Sequence, residues 1–94
     1  MHEGQFRNML AAMDHSGFES TKLQIARQAI ESSGIVNTEQ IRAMLIRLDF
    51  ESSRLKLARI AYLFTADPEN YYGLFDLFQF DSSIRELSQM IGSS

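Results

Sequence analysis

Phe50-Glu51-Ser52-Ser53-Arg54-Leu55-Lys56-Leu57-Ala58 decides the fold, because the chain says it three times. Phe18-Glu19-Ser20-Thr21-Lys22-Leu23 precedes it by 32 residues, and Phe80-Asp81-Ser82-Ser83-Ile84-Arg85 follows it by 30. Each phrase joins an aromatic residue, an acid and a hydroxyl to an apolar run that continues to Ile30, Tyr62 and Gly92 respectively. A period near thirty residues belongs to helical-hairpin repeats. No catalytic group recurs with the phrase.

Working outward, the segment before each phrase repeats as well. Phe6 to Asp14, Ile41 to Asp49 and Tyr71 to Gln79 align with apolar residues at the first, fourth, fifth and eighth columns. That is the i, i+3, i+4, i+7 stripe of an amphipathic helix. The first copy carries the extra residues His15-Ser16-Gly17, an insertion a surface loop absorbs cheaply. Each unit therefore predicts a helix, a tight corner bearing phenylalanine, and a second helix. The expectation is an all-α fold of three helical-hairpin repeats, about 5–34, 38–64 and 68–92, giving six helices in a compact stacked bundle within a single domain, 1–94. Tyr71, Phe75, Phe78 and Phe80 fall in core columns. If the corner phenylalanines are buried, truncating Phe50 should cost about 3–5 kcal/mol.

Helix punctuation agrees. Ser20, Ser52 and Ser82 stand where an N-cap hydroxyl is wanted, with Ser83 and Glu86 as an alternative capping box. Asn37 and Gln40 form a second reciprocal cap, Asp67-Pro68 marks a helix start, and Gly34 ends the second helix. Sheet signals are missing: there is no Asn-Gly turn and no sustained period-two alternation.

Composition bounds the function. The chain has 94 residues, 45% of them hydrophobic, enough for a modest core. With no cysteine there is neither a disulfide framework nor a thiolate metal site. No apolar run approaches the ~18 residues that span a bilayer, so no membrane insertion is expected; the cellular compartment stays open. Net charge is −3, distributed as −1 over residues 1–37, +2 over 38–64 and −4 over 65–94. The basic middle is too sparse for phosphate neutralisation, so no nucleic acid is expected. A basic middle beside an acidic end can instead steer a protein partner or favour weak homo-association.

The phrase beginning at Phe50, taken with Asp67-Pro68-Glu69-Asn70-Tyr71-Tyr72, resembles the family catalogued as domain of unknown function 4476. The resemblance runs from about Phe6 to Ile91. It implies an all-helical domain found in bacterial proteins, often exported ones, and in eukaryotic multidomain proteins. The family has no assigned catalytic residues, so the resemblance carries over no site. The third copy departs from the pattern at Ile84-Arg85 and ends quickly in Gly92-Ser93-Ser94, as either a terminal capping repeat or the boundary of a piece cut from a longer chain would.

Chemistry-bearing residues are few. His15, with Asp14 and Glu19 nearby in sequence, imitates a general base or metal ligand, but zinc needs three or four converging donors. Glu19, Glu51 and Asp81 recur near helix starts, where negative charge favours the dipole. No phosphate loop, nucleophile elbow or calcium loop is present. No catalytic, metal or cofactor site is expected, and an enzyme is not.

The alignment of copies instead singles out two columns. Tyr72 stands where the other copies have Arg7 and Arg42, and Leu77 stands where they have Ala12 and Arg47. Large apolar groups in solvent-facing columns are the material of interaction surfaces; packing between units would account for them equally well. The sequence thus points to a non-enzymatic protein-protein interaction or scaffolding module of a larger protein, binding a protein or peptide. Tyr72 and Leu77, or else Arg54, Lys56 and Arg59, are the expected contact residues. The alternative is a structural spacer or small self-associating domain in an exported protein.

Overall fold

A computed structural model describes residues 1–93; Ser94 lies outside the described residues. The chain forms helices α1 (Glu3–His15), α2 (Glu19–Ser33), α3 (Thr38–Leu45) and α4 (Glu51–Tyr62), a 3₁₀ helix (Pro68–Leu77) and α5 (Asp81–Gly92). The fold is all-α with six helices, and no strand occurs among the described residues. Its radius of gyration is 12.4 Å, matching the ~12 Å expected for a compact domain of this length.

Two sets of helices lie against one another. α2 packs beside α4 and α4 beside α5, while α1 contacts α3, and α3 contacts the 3₁₀ helix. The core between the sets is built from Met13, Ile30, Ile41, Leu45, Leu57, Tyr71, Leu74 and Leu87, all fully buried. Ala26, Ala58 and Ala61 are also fully buried, and their small side chains let the neighbouring helices approach closely.

Several termini follow the local code. Asn37 accepts from the Gln40 N–H at 2.8 Å while Gln40 Oε1 accepts from the Asn37 N–H at 3.1 Å, the reciprocal cap of α3. Gly34 closes α2 with φ of +79°, a conformation that costs other residues steric strain. Pro68 opens the 3₁₀ helix. Asp67, however, reaches outside that helix: its carboxylate accepts from the Thr38 N–H at 2.8 Å and the Thr38 hydroxyl at 3.0 Å. Beside it, Val36 and Thr65 form an isolated bridge, with the Val36 N–H donating to Phe64 O and the Ala66 N–H to Val36 O, both at 2.9 Å. Two connections are thereby pinned together.

The corner phenylalanines are corrected by the structure. Phe18, Phe50 and Phe80 occupy the N-cap positions of α2, α4 and α5 and are 74%, 61% and 59% exposed. An N-cap residue stands at the end of its helix, and here the backbone turns the ring outward. Ser20, Ser52 and Ser82 do not cap either, because each helix begins one residue earlier, at Glu19, Glu51 or Asp81.

The acids of the repeated phrase make the bonds the hydroxyls do not. Glu19, at the start of α2, accepts from the N–H groups of Asp49 (3.0 Å) and Phe50 (2.9 Å), which open α4. Glu51, at the start of α4, accepts from the N–H groups of Gln79 and Phe80, both at 3.0 Å, which open α5. Each acid therefore caps the next helix of its set and holds the N-terminal ends of α2, α4 and α5 side by side. Partial burial pushes the Glu19 carboxyl upward, but the bonds from Phe50 and Asp49, the Ser53 hydroxyl and the Lys22 charge outweigh it, and its pKa falls below the ordinary carboxylate value. Glu51 behaves alike: burial raises it, and Gln79, Phe80, the Ser83 hydroxyl and Arg54 lower it further. Asp81, third of the series, is exposed, and its carboxylate has no hydrogen-bond partner among the described residues.

The helices that precede the three phrases differ from one another. α1 has 13 residues and α3 has eight, whereas the helix before the third phrase is a ten-residue 3₁₀ helix. Glycine and several aromatic residues depress α-propensity over Pro68–Leu77. With three residues per turn, Tyr71, Leu74 and Leu77 line up on the core-facing side, so Tyr71 and Leu74 are buried and Leu77 is half-buried. Tyr72 and Phe75 eclipse on the next row, their rings edge-on at 5.4 Å. The Tyr71 hydroxyl donates to Ala58 O; burial of the phenol pushes its pKa up, beyond the ordinary tyrosine range.

Candidate functional site

α4 is the middle helix of its set, with α2 on one side and α5 on the other. Its inward face carries Leu57, Ala58 and Ala61, all buried. The opposite face runs through Ser52, Leu55, Lys56, Arg59, Ile60 and Leu63, at the i, i+3, i+4, i+7, i+8, i+11 spacing of one helical side. A solvent-facing side is ordinarily polar throughout; this one alternates aliphatic and cationic groups.

These side chains line an open groove of about 670 Å³ between α2, α4 and α5. Leu55, Ile60 and Leu63 of α4 and its C-cap, with Met90 of α5, form the apolar part. Leu63 is 83% exposed, the most exposed large hydrophobic residue of the described chain. Three cations stand in the same groove: Arg27 of α2 and Lys56 and Arg59 of α4. A smaller, adjoining depression of about 230 Å³, bordered by Leu23, Gln24, Arg27 and Lys56, extends it along the α2–α4 seam.

The cations differ in their partners. Arg59 donates to Glu86 of α5 at 2.9 Å, across the α4–α5 seam. Arg27 is paired within its own helix to Glu31 at 3.5 Å, both side chains about half-exposed. Lys56 is exposed and has no ion pair among the described residues. Exposed pairs of this kind contribute ~0–1 kcal/mol, so Arg27 and Arg59 remain available to another anion.

Lys56 and Arg59 thus converge on the groove, while the other residues singled out by the sequence lie elsewhere. Arg54 is half-buried and donates to Leu48 O and Leu77 O, each at 2.9 Å, tying α4 to the end of the 3₁₀ helix. Tyr72 is 54% exposed, and half-buried Leu77 packs on the core; neither lines the groove. Arg27, Leu55, Ile60, Leu63 and Met90 were not foreseen. The signal that would have found them is a second apolar stripe on α4, opposite the buried one.

His15 sits at the end of α1, exposed, with Nδ1 2.8 Å from Ala11 O. Among the described residues, no cluster of three or more histidine, aspartate or glutamate side chains is arranged to hold a metal ion. No helix among them is long and apolar enough to cross a membrane.

Comparison with known proteins places the chain. It belongs to the family described as domain of unknown function, DUF4476, whose model matches residues 1–91. Neither the curated proteins nor the solved structures contain a match.

Proposed function

We propose that this member of the family is a non-enzymatic protein-interaction module, and that it takes an apolar, acid-bearing segment of a partner along the outer face of α4. The observation that carries the reading is the uncovered apolar groove between α2, α4 and α5, with Leu63 83% exposed beside it. Burying such aliphatic surface is worth ~25 cal/mol per Å², and contiguous apolar patches rimmed by polar groups mark binding sites. The cations at the groove select a partner of negative charge, because complementary potentials steer encounter and fix register. The exposed Tyr72 is a separate surface, with Phe75 as its aromatic neighbour.

Selection of a displayed random-peptide library tests this. The library is panned on the domain and counter-selected on a folded Ile60→Asp/Leu63→Asp variant. Enriched peptides that bind the native domain and not the variant support the module and locate its face. Peptides retained equally by the variant, or no enrichment, contradict it.

A further inference from the structure

The two seams that flank α4 are chemically unlike, and the difference points to what fills the groove. In the repeated phrase Arg27 of the first copy corresponds to Arg59 of the second, and Lys56 of the second to Glu86 of the third. At the α4–α5 seam the corresponding pair is Arg59 and Glu86, opposite charges 2.9 Å apart. At the α2–α4 seam it is Arg27 and Lys56, two like charges lining the same groove. One seam has a carboxylate reaching across it; at the other, Arg27 has only Glu31 of its own helix at 3.5 Å, and no carboxylate pairs with Lys56 among the described residues. Like charges facing a shared apolar surface repel until an anion is placed between them.

From this we infer that the groove's occupant is an amphipathic helix with acidic residues along its edge, and that one of its carboxylates sits between Arg27 and Lys56. The inference rests on the interaction-module reading and specifies its partner class. The groove follows α4 from Ser52 to Leu63, about 17 Å at 1.5 Å per residue. That accommodates roughly three turns of a partner helix laid alongside. Its leucine-like residues at i, i+3, i+4 and i+7 cover Leu55, Ile60, Leu63 and Met90, and its acids face Arg27 and Lys56. A second copy of this chain is a poor occupant through α5, since the exposed positions of that acidic-end helix carry Asp81, Ser82, Arg85, Ser88 and Gln89 rather than an apolar stripe.

The test measures binding of two labelled probe peptides of about 14 residues, one with leucines on one face and glutamates along its edges, the other with lysine replacing each glutamate. The acidic probe is expected to bind at least about tenfold more tightly, with an affinity that falls as salt rises. An Arg27→Glu/Lys56→Glu double variant, checked for folding by thermal melt, is expected to reverse the order. Lys56→Gln, which disturbs the fold less, is expected to weaken the acidic probe alone. Equal binding of both probes, still lost in Ile60→Asp/Leu63→Asp, overturns the charge assignment while leaving the groove as a binding site. If neither probe binds but the library selection enriches groove ligands, the acidic-helix assignment is likewise overturned and the module stands. If neither probe binds and the selection also fails, both readings fall. Sedimentation showing a dimer that blocks the groove would assign it to a second copy and overturn the inference.

Discussion

Replacing Glu51 with alanine removes both of its hydrogen bonds from backbone N–H groups. Its carboxylate holds the N–H groups of Gln79 and Phe80 at 3.0 Å each, across an interval of nearly thirty residues. Hydrogen bonds to charged groups are worth ~1.5–3 kcal/mol each, but this corner is partly exposed and water re-satisfies the freed donors. Loss of a helix cap, typically ~0.5–2 kcal/mol, is the better scale. Adding the lost tie between α4 and α5 gives about 2 kcal/mol, or a melting temperature lowered by about 10 °C in a domain this small. Glu19→Ala should cost a similar amount, because Glu19 holds Asp49 and Phe50 in the same way. Asp81→Ala should leave the melt nearly unchanged, since Asp81 caps nothing in the described chain. Denaturant titrations of the three variants decide the matter. Equal losses for Asp81 and Glu51, or none for Glu51, would refute the assignment of these acids as ties between helices.

Three further outcomes are expected. Phe50→Ala should cost under ~1 kcal/mol by urea unfolding, as exposed substitutions do, while Leu57→Ala in the core should cost about 2–5 kcal/mol. Tyr71→Phe should cost about 1–2 kcal/mol, because the Ala58 carbonyl loses the phenol's bond while the ring packing survives; an unchanged melt would show that bond to be idle. Stability should decline on acidification: the depressed carboxyls of Glu19, Glu51 and Asp67 contribute fully above their unfolded pKa values, and that contribution is lost as pH falls through their folded ones. The loss should begin near pH ~5 and be smaller in Glu51→Gln; a domain that gains stability between about pH 5 and about pH 3 would contradict this.

What the sequence made legible was local. Gly34 and the Asn37–Gln40 box act through bonds within a few residues, and the apolar columns of α1 and α3 reflect burial of one helical side. The corner phenylalanines were misread because recurrence suggested a packing role, whereas their burial depends on where the backbone leaves each helix. The partner of Glu19 lies some thirty residues away, beyond the reach of any capping pattern. Leu77 illustrates a change of period: read at 3.6 residues per turn it faces solvent, but at three it falls in line with Tyr71 and Leu74. The groove was half-visible. Lys56 and Arg59 stood out by charge, while Leu55, Ile60 and Leu63 were absorbed into the expectation that apolar residues on a helix mean core.

The central claim, that the outer face of α4 is the binding surface, is tested most directly by nitrogen-edited NMR spectra of the domain titrated with the acidic probe helix. The account predicts chemical-shift changes clustered at Leu55, Lys56, Arg59, Ile60, Leu63 and Met90, with Arg27 on the opposite wall. Changes centred on Tyr72 and Phe75, with the α4 face undisturbed, would contradict it.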